Sequence, residues 1–266
     1  MQSLLTLIDG SENDAASLRA AAEMATAIGG RLTVAHFKLS DLVPVGTFDM
    51  GMVIPTDPAA LEEARKRAES AYAEECSRLA DCRLQEVEAG VSEAIERLSP
   101  YHDIIVLERL SGSDGPDAMA FSAALWGVGC AVLVTPAAAD TTPALRHVVV
   151  AWNGSVQAGR ALRAALPYLR RAERVTVLQR HGSEEDAELK GYLALHGVRA
   201  VQFRTYGQDR LSGRGWGRAL LAETRAIGAD MLVMGAYGSA MGSLLGFGRA
   251  TEKIVTSAPV PVLLSA

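Results

Sequence analysis

Cysteine is scarce, and the little there is does not pair by spacing. Cys76, Cys82 and Cys130 are the only three, with no CxxC motif among them. An odd count at irregular spacing gives no disulfide framework and suits reduced thiols in a cytoplasmic protein, set in a core or along a helix. Clustered metal ligands are missing as well. His36, His102, His147, His181 and His196 are scattered, and neither HExxH nor a Cys/His cluster occurs, so the usual catalytic metal sets have no support. The GxSxG turn of a hydrolase and the GxxxxGKS/T phosphate loop are also absent. No apolar run approaches the roughly 20 residues that a membrane helix requires. Met1-Gln2-Ser3-Leu4 leads into a strand-like run without a basic region or small-residue cleavage site, which reads against a signal peptide. Positive charge is not in excess either: 26 Lys and Arg stand against 31 Asp and Glu, so nonspecific nucleic-acid binding is not expected.

What remains is an ordinary globular composition over 266 residues, 49% hydrophobic and 21% charged, enough for one large or two medium domains. The charge is unevenly divided. Residues 1–140 hold 10 Lys and Arg against 22 Asp and Glu, whereas residues 141–266 hold 16 against 9. Oppositely charged halves favour docking on one another, and the basic half is the better host for an anion.

An internal repeat organises the chain. The opening segment through Ile8-Asp9-Gly10-Ser11 resembles that through Ala151-Trp152-Asn153-Gly154-Ser155. Arg31-Leu32-Thr33-Val34 answers Arg174-Val175-Thr176-Val177. Asp103–Leu107 answers Asp230–Met234, and Ala131–Val134 answers Pro261–Leu264. The matches keep their order, so the chain reads as two copies, residues 1–138 and 144–266, joined by the linker Pro136–Pro143.

Each copy alternates short Val-, Ile- and Leu-rich runs with helical periodicities, the pattern of strands buried on both faces of a parallel sheet. Leu18, Ala21, Ala22, Ala25 and Ile28 fall on one helical face. Leu61, Ala64, Ala68, Tyr72 and Leu79 fall on another, and Ala158, Ala161, Leu162, Ala165, Leu166 and Leu169 on a third. Asp14 and Ser155 stand where N-caps belong, and Gly29-Gly30 where the first helix ends. The expected fold is α/β, two tandem doubly wound parallel five-stranded sheets. Ligands of such sheets sit at the carboxyl ends of the strands, which points to Asp9, Asn153 and Gly235.

The strand expected over Asp230–Met234 runs into a stretch holding Gly235, Gly238, Gly242, Gly246 and Gly248, five glycines in 14 positions before a helical pattern. Glycine admits positive φ and lets backbone N–H groups close on an anion. A helix starting near Gly248 would add free N–H groups and its dipole, and Arg249 a full charge.

Gly235-x2-Gly238-x9-Gly248 resembles the nucleotide-binding signature of the universal stress protein family. Thr251-Glu252-Lys253-Ile254-Val255 and Ala258–Leu264 resemble its last helix and strand, and Asp9-Gly10-Ser11 and Asn153-Gly154-Ser155 its opening turn. The resemblance implies domains with strand order 3-2-1-4-5, a fold akin to the adenine-nucleotide alpha-hydrolases, that pair through their fifth strands. Here those strands are Ala131–Thr135 and Val260–Ser265, so the halves would form a pseudo-dimer within one chain, with a homodimer left open. It also implies a stress-response protein binding ATP, with Mg as accompanying ion, and acting on protein partners. The site residues it implies are Asn153, Gly154, Val177, Gly235, Gly238, Gly248, Arg249, Ala250 and Thr251. The base would lie near Asn153 and the phosphates on Gly235, Gly238, Gly248 and Arg249, with Thr251 adding a hydroxyl. No catalytic base is visible, so slow ATP hydrolysis is the most the sequence allows.

The chain departs from the family pattern at two points. Arg249 stands where Ser or Thr is usual, and its guanidinium would either clasp phosphate in a bidentate manner or swing across and block it. Asn153 replaces an acidic residue, keeping an acceptor and adding a donor. A glycine-rich loop kept for tight strand–helix packing, in a nucleotide-free interaction module, is the competing reading. In the first half Glu108 replaces the first glycine, and with Asp114 and Asp117 it would repel phosphate, so ATP is not expected there. Gly213–Arg218 reads as the lead-in to the second half's third helix, with Arg214 or Arg218 as an accessory anion contact. Residues 38–58 read as a long insertion of functional, contact or surface-loop character.

Overall fold

Val, Leu and Ile run through the strands with almost no polar interruption, and every residue of Ala131–Thr135 and of Met231–Gly235 is buried. A strand of that kind needs cover on both faces, and the fold supplies it with helices. The computed structural model describes residues 1–38, 42–44, 51–53, 57–77, 79–111, 116–136, 145–180, 186–207, 214–236 and 248–266. The first half comprises β1 (Ser3–Ile8), α1 (Asp14–Ile28), β2 (Arg31–Lys38), β3 (Leu42–Pro44), β4 (Gly51–Val53), α2 (Pro58–Cys76), β5 (Cys82–Glu88), α3 (Val91–Leu98), β6 (Ile104–Glu108), α4 (Pro116–Ser122) and β7 (Ala131–Thr135). The second comprises β8 (His147–Ala151), α5 (Val156–Arg171), β9 (Arg174–Arg180), α6 (Ala187–Leu195), β10 (Val201–Tyr206), α7 (Arg214–Ala226), β11 (Met231–Gly235), α8 (Arg249–Val255) and β12 (Val262–Ser265).

Ten of these strands form one sheet, in the order β10-β9-β8-β11-β12-β7-β6-β1-β2-β5. Read from its own first strand, each half has the order 3-2-1-4-5, and all pairs inside a half are parallel. The single antiparallel step joins the halves, with Val262 opposite Val134, Leu263 opposite Leu133 and Leu264 opposite Val132. The short β3–β4 hairpin stands apart from this sheet. Within the 38–58 insertion, residues 39–41, 45–50 and 54–56 lie outside the described residues.

Period-two alternation divides the core between the two faces. Leu4, Val34, Val106 and Val233 pack with Leu18, Ala21, Leu162 and Leu169 of α1 and α5. Leu5, Ile105, Val149 and Leu232 pack with Ile95, Phe121, Leu221 and Ile254 of α3, α4, α7 and α8. The expected faces of α1 and α5 are buried throughout, whereas on α2 Ala68 is buried and Leu61, Ala64 and Tyr72 are half-exposed.

Ser155 caps α5, accepting from Ala158 N at 3.1 Å, and Gly29 closes α1 at φ 63°. Asp14 is corrected. The cap position of α1 is Asn13, and Asp14 is the first helical residue. Its carboxylate, buried beneath the turn, accepts instead from Gly10 N at 2.8 Å and Ser11 Oγ at 3.3 Å.

Candidate functional site

In the second half, the carboxyl ends of β8, β9, β10 and β11 open into a cleft walled by α7 and α8, with about 520 Å³ of open space. Four aromatic or cationic side chains shape one side of it. Trp152 follows β8, Arg180 ends β9, Tyr206 ends β10 and Trp216 lies in the first turn of α7. Tyr206 meets Trp216 edge-on, with centroids 5.7 Å apart at 80°. The Arg180 guanidinium lies 4.5 Å from the Trp216 ring centroid, a cation–π contact of about 0.5–1 kcal/mol at an accessible position. Gly207, at φ +83°, makes room for this ring, since a Cβ there would stand 2.4 Å from Trp216 Cζ3. Trp152 is held from behind: its Nε1 donates to Asp186 Oδ2 at 2.7 Å, while Asp186 Oδ1 caps α6 through Leu189 N at 2.9 Å. Leu220, Met234 and Ile254 complete an apolar wall.

Polar groups enter at the edges. Asn153 lines the cleft, but its Oδ1 accepts from Ser155 N at 3.2 Å and Ser155 Oγ at 2.8 Å. The acceptor foreseen for a base therefore serves an Asx turn, and the amide NH2 is the group left to offer. Thr251 is 1% exposed, lines the cleft, and its Oγ1 has no hydrogen-bond partner among the described residues. Other threonines in or ending a helix here return the hydroxyl to the carbonyl four residues back, Thr224 to Leu220 O at 2.7 Å and Thr256 at the end of α8 to Glu252 O at 2.8 Å. Thr251 stands too close to the start of α8 for such an acceptor within the helix. An orphaned buried hydroxyl costs about 1–3 kcal/mol, and among the described residues nothing offsets that cost for Thr251.

The other expected site residues divide. Gly235 is the last residue of β11, not the start of a loop, and lines the cleft through its backbone. A Cβ on it would come within 2.5 Å of Ala158 N and 2.9 Å of Gln157 C in the first turn of α5, so close strand–helix packing by itself demands glycine. Ala250 lines the cleft. Gly248 is the extended N-cap residue of α8, at φ −63° and ψ 148°, with no side-chain cap. Arg249 is exposed and outside the lining, as is Gly154, which turns at φ +71°. Gly238 lies outside the described residues. Val177 is corrected: it is fully buried mid-strand between Val150 and Phe203, on the face packed against α5, and does not reach the cleft. α8, the helix foreseen to turn its positive end toward the anion, is seven residues long. Arg214, foreseen as an accessory anion contact, is paired with Glu252 Oε1 at 2.8 Å.

The matching place in the first half is a cleft of about 970 Å³ lined by Asp9, Glu108 and Asp117 together with Phe37 and Leu107. Its carboxylates are engaged locally: Glu108 accepts from Ser17 Oγ at 3.2 Å, and Asp117 from Ser111 N and Oγ, each at 2.8 Å. Beneath it, burial pushes the Asp14 carboxyl up to about 6, against the opposing hydrogen bond from Gly10 and with help from the charge of Asp9.

Against this geometry, the model of the universal stress protein family matches residues 144–265. The second half of the chain thus carries a universal stress protein domain. A universal stress protein from Archaeoglobus fulgidus DSM 4304, 18% identical, superposes over 98% of this chain and 95% of its own with a TM-score of 0.70. A functionally unknown protein from Pseudomonas aeruginosa PAO1, 14% identical, does so over 99% and 92% with a TM-score of 0.58. At these identities the likeness establishes the shared fold across both halves. A universal stress protein from Archaeoglobus fulgidus in complex with dAMP, 18% identical, matches 46% of this chain and 89% of its own with a TM-score of 0.33. No protein of curated function matches the sequence. Among the described residues no helix is long and apolar enough to cross a membrane, and no group of three or more His, Cys, Asp or Glu could hold a metal ion.

In this half, sequence reasoning passed over Trp152, Arg180, Tyr206 and Trp216. The signal was present, because the rule that singled out Asn153 and Gly235 applies equally to the ends of β9 and β10.

Proposed function

We propose that the second half binds an adenine nucleotide, with ATP as the first ligand to test, in the cleft between the ends of β8–β11 and helices α7 and α8. The observation that carries this reading is the buried hydroxyl of Thr251, without a partner among the described residues, on the wall of a cleft lined mainly by aromatic and aliphatic side chains. A flat apolar wall with a few convergent polar groups suits a purine and its sugar. The base would lie toward Trp152, Asn153 and Trp216. The phosphates would lie toward Thr251, the backbone at Gly235 and Gly248, and the glycine-rich stretch between them, with Arg249 near enough in sequence to add charge. The basic balance of residues 141–266 favours an anion on this half, and the carboxylates Asp9, Glu108 and Asp117 disfavour one in the other. Such a protein would act in a stress response as a nucleotide-responsive binding protein.

Calorimetric titration of the full chain with ATP tests this reading, with AMP and GTP showing whether phosphates or base dominate. Binding that weakens at least about tenfold in Trp216→Ala, the loss of roughly 1–3 kcal/mol that one stacking ring supplies, supports it. No heat at millimolar ATP, or an affinity indifferent to Trp216, favours the nucleotide-free interaction module instead.

A further inference from the structure

The full positive charge in the second-half cleft does not come from α8. Arg180 ends β9, and among the described residues it is the single charged side chain lining the cleft. Strand alternation aims it there. Leu178, two residues earlier, packs on the same face as Leu220 of α7, whereas Val177 lies on the opposite face. Arg180 is set opposite Tyr206 of β10, and Tyr206 meets Trp216 edge-on. In the sheet order β10-β9-β8-β11, one strand stands between that of Arg180 and that of Gly235. Two strand spacings, about 10 Å, therefore separate β9 from β11. Gly235, Gly248 and Thr251, proposed above for the 5′ phosphates, belong to β11 and α8. Arg180 stands instead with Trp216, at the end proposed for the base.

We infer, resting on the nucleotide reading above, that this cleft selects an adenine nucleotide carrying a second phosphate on its ribose, at the 2′ or 3′ oxygen, and that Arg180 holds that phosphate. The guanidinium lies over the Trp216 ring, 4.5 Å from its centroid. Lying over a ring occupies one flat face of the group. The N–H donors lie in its plane, at the edge, where they suit a phosphate in a bidentate grip. Nearby arginines are spent on carboxylates, Arg204 on Glu223 at 3.4 Å and Arg214 on Glu252 at 2.8 Å. Among the described residues no carboxylate lines the cleft to do the same for Arg180. A purine is neutral, and the 5′ phosphates lead away toward α8. The ribose hydroxyls are thus the groups near the base that can bear an anion. A ligand with 5′ phosphates alone leaves the Arg180 charge unmatched, whereas one with a ribose phosphate matches both ends of the cleft.

Calorimetry of the full chain compares AMP with adenosine 3′,5′-bisphosphate and adenosine 2′,5′-bisphosphate, which differ from it only by the ribose phosphate. At least one bisphosphate is expected to bind about tenfold or more tightly than AMP, as a charge-assisted bidentate contact provides. In Arg180→Gln the same ratio is expected to fall below about threefold, and in Arg180→Lys, which keeps the charge without the fork, to fall between the two. Each ratio is taken within one protein, so a general effect of the substitution on Trp216 cancels. Equal affinity for AMP and both bisphosphates, or a preference that survives in Arg180→Gln, overturns this inference and leaves the nucleotide reading standing. No binding of ATP, AMP or either bisphosphate at millimolar concentration overturns both.

Discussion

Thr251 carries a hydroxyl with no partner among the described residues, set where its burial is nearly complete. If a ligand uses it, removing it should pull stability and affinity in opposite directions. Thr251→Val deletes the unpartnered group at almost constant volume. Without nucleotide, urea unfolding should show the variant more stable by about 1 kcal/mol, while ATP affinity falls by roughly tenfold. A gain in stability with unchanged affinity would leave the hydroxyl without a function. Asp14 makes a second residue-scale case. Its folded-state pKa of about 6 lies above the ordinary carboxyl value of 3.8. The folded chain thus holds more protons than the unfolded one between those values, and this group's contribution weakens as pH rises from about 4 to 6. Asp14→Asn removes that dependence. The variant should therefore gain on the wild type by roughly 2–3 kcal/mol between pH 4 and pH 7, read from unfolding curves at each pH.

Elements set the cleft by how closely they approach, and here α7 and α8 are governed by one position. A Cβ on Gly217 would lie 2.8 Å from Ala250 O and 3.2 Å from Lys253 Cβ. Alanine normally gains a helix about 0.5–1 kcal/mol over glycine, but the overlap costs about 1–3 kcal/mol. Gly217→Ala should therefore destabilise by about 1–2 kcal/mol and weaken ATP binding, because Trp216 and Thr251 sit on the two helices being forced apart. Thermal unfolding and calorimetry check both effects. At this scale the sequence was largely legible. The strands were visible as short unbroken apolar runs, and the faces of α1 and α5 as helical periodicities, because burial on both faces or on one stripe dictates each pattern. The cap of α1 was read one residue late, because Asp14 bonds back to the turn at Gly10. The site was less legible. Trp216 reaches Arg180 only through folding: β9 and α7 are distant in sequence, and spacing does not reveal that Arg180 lies over its ring. Gly235 was read as a phosphate contact, whereas the backbone that a Cβ there would meet belongs to α5, nearly 80 positions earlier.

Across the whole molecule, the antiparallel step between β7 and β12 turns two repeats into one sheet. Leu133 and Leu263 face each other across it, both fully buried. Each truncation to alanine should cost about 2–5 kcal/mol, and the double variant should lose less than the sum by about 0.5 kcal/mol or more, as neighbours do. Strict additivity in urea unfolding would mean that the halves do not support one another through this pair. The same joint explains why the two clefts differ without disturbing the fold. The sheet fixes where each opens, and the residues at the strand ends set what each can take, carboxylates in the first half and aromatic rings with an idle hydroxyl in the second.

A crystal structure of the full chain grown with excess ATP tests the central claim most directly. The account predicts nucleotide density in the second-half cleft, the base beside Trp216 and a polar ligand atom within hydrogen-bonding distance of Thr251 Oγ1. Nucleotide bound only in the first-half cleft, or a second-half cleft empty at saturating ATP, would contradict it.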